Sequence, residues 1–271
     1  MPELPEVETT RRGIAPTIEG RLIEALVVRE PRLRWPVPES LARRIEGERV
    51  GGVRRRGKYL LLELEKGAVL VHLGMSGSLR LSPRDAPPGK HDHVDLVMEG
   101  GFILRLTDPR RFGAVLWAPN PPDTHWLLRD LGPEPLETDF NGDYLFAKTR
   151  RRRASVKDLI MNAKVVVGVG NIYANEALFR AGIRPGIAAH RLTRARCVRL
   201  VDAIRATLTE AIRAGGTTLR DFVGGDGRPG YFARELLVYG RVGEPCRACG
   251  GELKAGRAGQ RATVYCSHCQ H

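Results

Sequence analysis

Apolar positions along the chain fall into two regimes. After an opening Pro2-Glu3-Leu4-Pro5-Glu6, the residues Val7, Thr10, Arg11, Ile14 and Ile18 follow helical spacing, with Gly20 placed to end the helix. From Arg21 to Trp117 the apolar residues come in short runs instead: Leu22–Val28, Val50–Arg54, Tyr59–Glu65, Val69–Leu73, Leu79–Leu81, Val94–Met98, Phe102–Leu106 and Ala114–Trp117. Glu65-Lys66-Gly67 and Glu99-Gly100-Gly101 have the composition of hairpin turns. Many short strands with close turns predict an antiparallel sandwich. Residues 125–131 predict a short helix stopped by Gly132-Pro133, and 134–150 reads as a linker. Beyond it the period becomes helical again: Ser155 caps one helix running to Ala163, Asn171 another to Ala181, and Thr193 a long one reaching Gly215.

Charge divides the chain where the pattern does. The net charge is +13, yet residues 1–149 hold 22 Lys/Arg and 22 Asp/Glu, so the whole excess lies in residues 150–271, with 22 against 9. A neutral half joined to a basic half is the composition of a polyanion-binding module, although a solvated basic face has the same signature. The run Arg150–Arg153 precedes the segment Val165-Val166-Val167-Gly168-Val169-Gly170, and Asn171 follows that segment. It is no dinucleotide fingerprint, since the third glycine position is Tyr173. A glycine turn feeding a helix does aim backbone N–H groups at a phosphate.

Five cysteines occur, four of them as Cys246-x2-Cys249-x16-Cys266-x2-Cys269. Two such pairs separated by hairpin length predict a structural zinc site, with disulfide pairing as the alternative and His268 and His271 as rival ligands. Cys197 falls in the long helix as a small core or surface residue. No apolar run reaches membrane-span length, and no basic, apolar leader opens the chain, so the expectation is a cytoplasmic protein. Pro2 carries chemistry only if Met1 is trimmed. The resulting secondary amine, with its low amine pKa near ~8, can attack a sugar aldehyde carbon to give a cationic iminium. The plainer reading is a trimmed end, with Pro5 at the first position of a helix.

Taken in order, these motifs resemble the bacterial formamidopyrimidine-DNA glycosylase family. The likeness rests on Pro2-Glu3-Leu4-Pro5-Glu6-Val7-Glu8, Gly57-Lys58-Tyr59-Leu60, His72-Leu73-Gly74-Met75-Ser76-Gly77 and Asp108-Pro109-Arg110-Arg111-Phe112-Gly113. It continues through Gly168-Val169-Gly170-Asn171-Ile172-Tyr173 and the cysteine hairpin with Gln260-Arg261-Ala262-Thr263. Asn162-Ala163 departs from the usual Asp-Asn before the glycine turn.

The resemblance implies an α+β protein. Residues 1–133 would form an N-terminal antiparallel β-sandwich with flanking helices, and 134–150 the linker. Residues 151–240 would form a helix–two-turn–helix domain with a lesion-recognition loop, and 241–271 a four-cysteine zinc β-hairpin, with DNA in the cleft between domains. The implied activity is base-excision repair: release of oxidised purines, 8-oxoguanine and formamidopyrimidines, and β,δ-elimination at the abasic site. By matching positions, Pro2 is the nucleophile, Glu3 the proton donor to the opening sugar, Lys58 the donor for β-elimination and Arg261 for the δ step. Glu6 and Glu176 are the candidate neighbours tuning Glu3, or else capping residues.

Met75, Arg110 and Phe112 match the trio that fills the space left by an extruded base, though Met75 and Phe112 also suit core packing. His91, Arg152, Lys157 and Asn171 are the phosphate candidates. Tyr231 and Tyr239 lie in the segment 217–241 matching the damaged-base loop. The expected cofactor is one zinc ion, and the expected partner is lesion-bearing duplex DNA bound by a monomer. The competing readings are the pyrimidine-directed sister family, against which Leu4 argues, and a silent zinc protein that binds damaged DNA.

Overall fold

The computed structural model describes residues 2–217 and 235–271. They divide into two compact units, one of residues 2–130 with 214–217, the other of residues 131–213 with 235–271.

The first unit is the antiparallel sandwich. Its strands are β1 (Ile23–Val28), β2 (Gly52–Arg56), β3 (Tyr59–Leu64), β4 (Gly67–His72), β5 (Ser78–Pro83), β6 (Asp92–Met98), β7 (Phe102–Thr107) and β8 (Ala114–Pro119). They form two four-stranded sheets, β1-β6-β7-β5 and β2-β3-β4-β8. The two hairpins expected at Glu65–Gly67 and Glu99–Gly101 close with Leu64 opposite Gly67 and Met98 opposite Phe102. Leu60, Leu62, Val69, Val71, Leu96, Leu104 and Leu106 share one core with Val7, Ile14 and Ile18 of helix α1 (Leu4–Ile18). Leu61 and Leu70 are fully buried too, so β3 and β4 are covered on both faces. Their apolar residues therefore run unbroken instead of alternating.

The second unit is mainly helical. It contains α3 (Gly142–Thr149), α4 (Val156–Met161), α5 (Asn171–Arg180), α6 (Arg194–Arg213) and the hairpin β9 (Leu253–Ala258) with β10 (Arg261–Cys266). Helix α6 turns Cys197, Leu200, Val201, Ile204, Leu208 and Ala211 inward at three- and four-residue spacing, which places Cys197 in the core. Phe179, Val238, Leu253 and Val264 pack with Cys246 and Cys266 at the base of the hairpin.

Three local expectations change. Residues 125–131 form turns, because Leu128 and Arg129 N–H both close on the His125 carbonyl and no further helical bond follows. The short helix α2 (Leu41–Ile45) was not anticipated. Within the stretch read as a linker, α3 forms with Asn141 as its cap, the side-chain oxygen accepting the Tyr144 N–H at 2.9 Å. No helix among the described residues is long and apolar enough to cross a membrane.

Candidate active site and nucleic-acid interface

In the first unit, Pro2 is buried and Glu3 is 2 % exposed at the N-cap of α1. Glu6, three residues on, completes a capping box: its Oε2 accepts the Glu3 N–H at 2.8 Å. The other oxygen of the same carboxylate, Oε1, accepts the Thr217 N–H at 2.7 Å. A carboxylate at 2 % exposure needs such donors, and the helix N-terminus adds its own positive field. Glu6 is thus the capping residue that the sequence allowed, and it also cross-links the backbone beside Pro2 to a segment 211 positions away.

One turn along α1, Glu8 accepts from Arg11, Arg12 and Arg55. Burial alone would raise its carboxyl, but the hydrogen bonds and charges of the arginines outweigh it and hold the group down at about 2. Lys58 sits in the two-residue turn joining β2 to β3, after Gly57 at φ 57, with Arg56 opposite Tyr59.

Two loops leave adjacent strand ends at one edge of the second sheet, where His72 of β4 lies opposite Ala114 of β8. The first presents Met75, 38 % exposed, and the second Phe112, 42 % exposed. Neither side chain is core, so the core-packing alternative for these two residues does not hold. The Arg110 guanidinium lies over the Phe112 ring, 5.2 Å from its centroid. Asp108, fully buried, folds the second loop: Oδ2 accepts the Gly113 N–H at 2.6 Å and Oδ1 the Arg110 N–H at 3.3 Å. The loops touch backbone to backbone. A Cβ on Gly74 (φ 66) would fall 2.5 Å from the Gly113 nitrogen, and one on Gly113 would fall 2.8 Å from the His72 carbonyl oxygen. His91 is half-buried at the start of this region, its carbonyl accepting the Asp108 N–H. Asp108 was not singled out from the sequence, although an Asp followed by Pro-Arg-Arg-Phe-Gly is a turn signal.

In the second unit, Arg152 is exposed beside a pocket of about 480 Å³ lined by Arg150, Arg151, Arg153 and His190. Asn171 is the first residue of α5 after the Gly170 cap, and its buried Oδ1 has no hydrogen-bond partner among the described residues.

Lys157, expected at a phosphate, is instead fully buried. Its ammonium donates to the Ala262 carbonyl and the Thr263 hydroxyl, each at 2.8 Å, which supplies the acceptors a buried charge requires. It thereby grips the hairpin beside Arg261, the first residue of β10, which is exposed. Asn175 Oδ1 takes the Val264 N–H at 3.0 Å and adds a second grip.

Glu176, fully buried, accepts the N–H groups of Leu237, Val238 and Tyr239 at 2.8, 3.0 and 2.8 Å. Its carboxylate is committed to that backbone, a role with no local sequence signal. Of the expected base-reading segment, Thr217 and residues 235–241 are described, Tyr239 among them, while Tyr231 lies outside the described residues.

The sulfurs of Cys246, Cys249, Cys266 and Cys269 all lie within 4.8 Å of one another, and His268 and His271 are not part of the group. Cys246 and Cys269 are 3.9 Å apart, Cys249 and Cys266 3.5 Å. Four thiolates at ~2.3 Å from a tetrahedral zinc stand roughly 3.8 Å apart, so the donor set fits that ion. Burial and neighbouring thiols push Cys269 up, whereas backbone N–H groups of Cys269 and His268 outweigh burial to draw Cys266 down. Metal binding must displace protons here.

Three stretches match family models: residues 1–115 the formamidopyrimidine-DNA glycosylase N-terminal domain, residues 131–223 the corresponding H2TH domain, and residues 243–271 a zinc finger found in FPG and IleRS. The chain is 62% identical over 270 residues to the formamidopyrimidine-DNA glycosylase of Thioalkalivibrio sulfidiphilus, covering 100% of both. Among solved structures, a complex between the Lactococcus lactis Fpg and DNA containing an abasic site shares 34% identity, with 99% of each chain covered and a TM-score of 0.92. A complex between the wild-type Lactococcus lactis protein and DNA containing N7-benzyl-Fapy-dG also shares 34% identity, over 100% of each chain, with a TM-score of 0.92.

Proposed function

We propose, for a chain that belongs to the formamidopyrimidine-DNA glycosylase family, that it excises oxidised purines from duplex DNA and then cuts the strand at the abasic site. The observation that carries this reading is the Pro2-Glu3 pair, buried at a helix N-terminus and held there by the Glu6 carboxylate. Chemistry at a stacked base requires the nucleotide to be extruded first. Met75 and Phe112, both exposed on abutting loops, serve as the wedge, and Arg110 stacks over Phe112 to meet the orphaned base.

With Met1 removed, the Pro2 nitrogen attacks C1′ as the bond to the damaged base breaks, and Glu3 gives a proton to the ring oxygen as the sugar opens. The resulting iminium draws electrons from C2′. Loss of the C2′ proton expels the 3′ phosphate with Lys58 as the acid, and a second elimination expels the 5′ phosphate. Arg261 grips that phosphate in a fork its planar guanidinium is suited to make. His91, Arg152 and the N-terminus of α5 at Asn171 supply phosphate contacts, and zinc holds the hairpin fold. Lys157 is left out of this set because its ammonium is buried against the hairpin. The setting is the cytoplasm, acting as a monomer on chromosomal DNA.

Borohydride trapping on 8-oxoguanine duplexes, followed by peptide mapping, tests the assignment. A covalent adduct at Pro2 is expected, and Pro2→Gly should greatly slow trapping while leaving DNA affinity within about threefold, since the change trades the secondary amine for a primary one and removes no phosphate contact. An adduct on another residue, or affinity falling in step with rate, overturns the nucleophile. Faster release of thymine glycol than of 8-oxoguanine overturns the purine preference in favour of the pyrimidine-directed reading.

A further inference from the structure

The Met75 loop and the Arg110–Phe112 loop leave neighbouring strands, and one side chain joins them. His72, the last residue of β4, accepts the Gly74 N–H on Nδ1 at 3.0 Å. The backbone of Phe112 acts on the same imidazole, favouring its protonated form. Gly74 and the Phe112–Gly113 peptide are already in contact, so the ring bridges two backbones that have no room to slide. Asp108 meanwhile fixes the far loop from inside.

We propose that His72 is a positioning residue that locks the Met75 loop to the Arg110–Phe112 loop, so that both enter a duplex as one wedge. An accepting Nδ1 requires that nitrogen to be unprotonated. The surroundings enforce this: burial first, then the charges of Lys58 and Arg34, push the imidazole down to about 4, against the opposing effect of the Phe112 backbone. The Tyr59 ring packs beside it, 4.9 Å away and tilted. The lock therefore stays closed throughout the neutral range. Without it, ordering two independent loops at the moment of insertion would carry its own entropic cost.

The proposal rests on the base-extruding function above, and it separates from that function by substrate. An abasic site has no base to push out, so the wedge matters less there than at a stacked 8-oxoguanine·cytosine pair. His72→Phe keeps an aromatic ring and removes the acceptor that holds the Gly74 N–H. His72→Asn keeps an acceptor near the Nδ1 position, whereas His72→Gln cannot place one there. Each variant would be assayed for excision of 8-oxoguanine, for strand cutting at a preformed abasic site, and for the fluorescence rise of a 2-aminopurine placed beside the lesion.

For His72→Phe, excision and the fluorescence step should slow by about tenfold or more, the equivalent of one lost hydrogen bond. Cutting of the abasic strand should change less than about twofold on that reasoning, and His72→Asn should recover most of the loss. If His72→Phe does not fold, the contrast between His72→Asn and His72→Gln is read in its place. Equal loss on both substrates would place His72 with Lys58 in the chemistry and overturn the lock. Unchanged excision and fluorescence in every variant would overturn it too. A wild-type protein that raises the fluorescence yet traps no DNA would refute the proposed chemistry while leaving the lock under test.

Discussion

Replacing Glu6 by glutamine changes one atom's chemistry at a site where both oxygens are occupied. Oε2 takes the N–H beside Pro2 and Oε1 takes the N–H of Thr217. Glutamine brings one acceptor and one donor, so whichever way its amide turns, its NH2 faces one of these N–H groups. The loss is one charge-assisted bond plus a buried backbone donor without a partner, roughly 2–4 kcal/mol. The amide should sacrifice Thr217 or Glu3 according to which can relax more, and both outcomes move the Pro2-Glu3 backbone relative to the rest of the sandwich. If half of that energy appears as lost positioning, single-turnover trapping on abasic DNA slows by about five- to thirtyfold. Trapping rate, DNA affinity by anisotropy and hydrogen exchange at Thr217 would be measured together. The expected result is slower trapping, affinity within about threefold and a faster-exchanging Thr217 amide. A Glu6→Gln protein that traps at the wild-type rate would refute the idea that this carboxylate sets the nucleophile's position.

Two further outcomes follow from the same structure. Glu8 is held at about 2 by its arginines, so its contribution to stability is complete above the unfolded carboxyl range and lost as pH falls from about 4.5 to about 2. After discounting for the solvent-facing Arg12, 60 % exposed, the contribution is about 1–2 kcal/mol. Thermal unfolding of wild type and Glu8→Gln should therefore differ at pH 6 and converge near pH 2, and a gap that persists at low pH would contradict it. Stripping zinc with a chelator should raise hydrogen exchange across residues 243–271 and weaken lesion binding, since structural zinc supplies roughly 10–16 kcal/mol in small fingers. Full lesion binding by verified metal-free protein would refute the hairpin's part in holding DNA.

The sandwich was legible because its strands obey local rules: Leu60–Leu62 and Val69–Val71 are continuous apolar runs bounded by a glycine turn. The zinc hairpin was legible from spacing alone. Short elements were not. Helix α2 has five residues, too few for a period to declare itself, and α3 was hidden among polar residues although its Asn141 cap stood in plain view. At the candidate site, the residue types of Pro2, Glu3, Lys58 and Arg261 were readable from their motifs, but partners distant in sequence were not. Nothing near Lys157 predicts that its ammonium ends on residues 105 and 106 positions later, and among four arginines and a lysine it reads as one more cation for DNA. Glu6 announced its capping box but not Thr217, and Glu176 gave no sign of the backbone at Leu237 to Tyr239 that it holds. Charge burial depends on tertiary neighbours, and helical or strand periodicity carries no record of them.

Glu6 and Glu176 also bear on how this chain can change. Within the first unit one carboxylate fastens the backbone at Thr217, and within the second unit the other fastens the backbone at Leu237 to Tyr239. Because both carboxylates hold backbone N–H groups and no side chain, any residue except proline can satisfy these bonds at 217 and at 237–239, so the carboxylates are the fixed partners and the residues they hold are the replaceable ones.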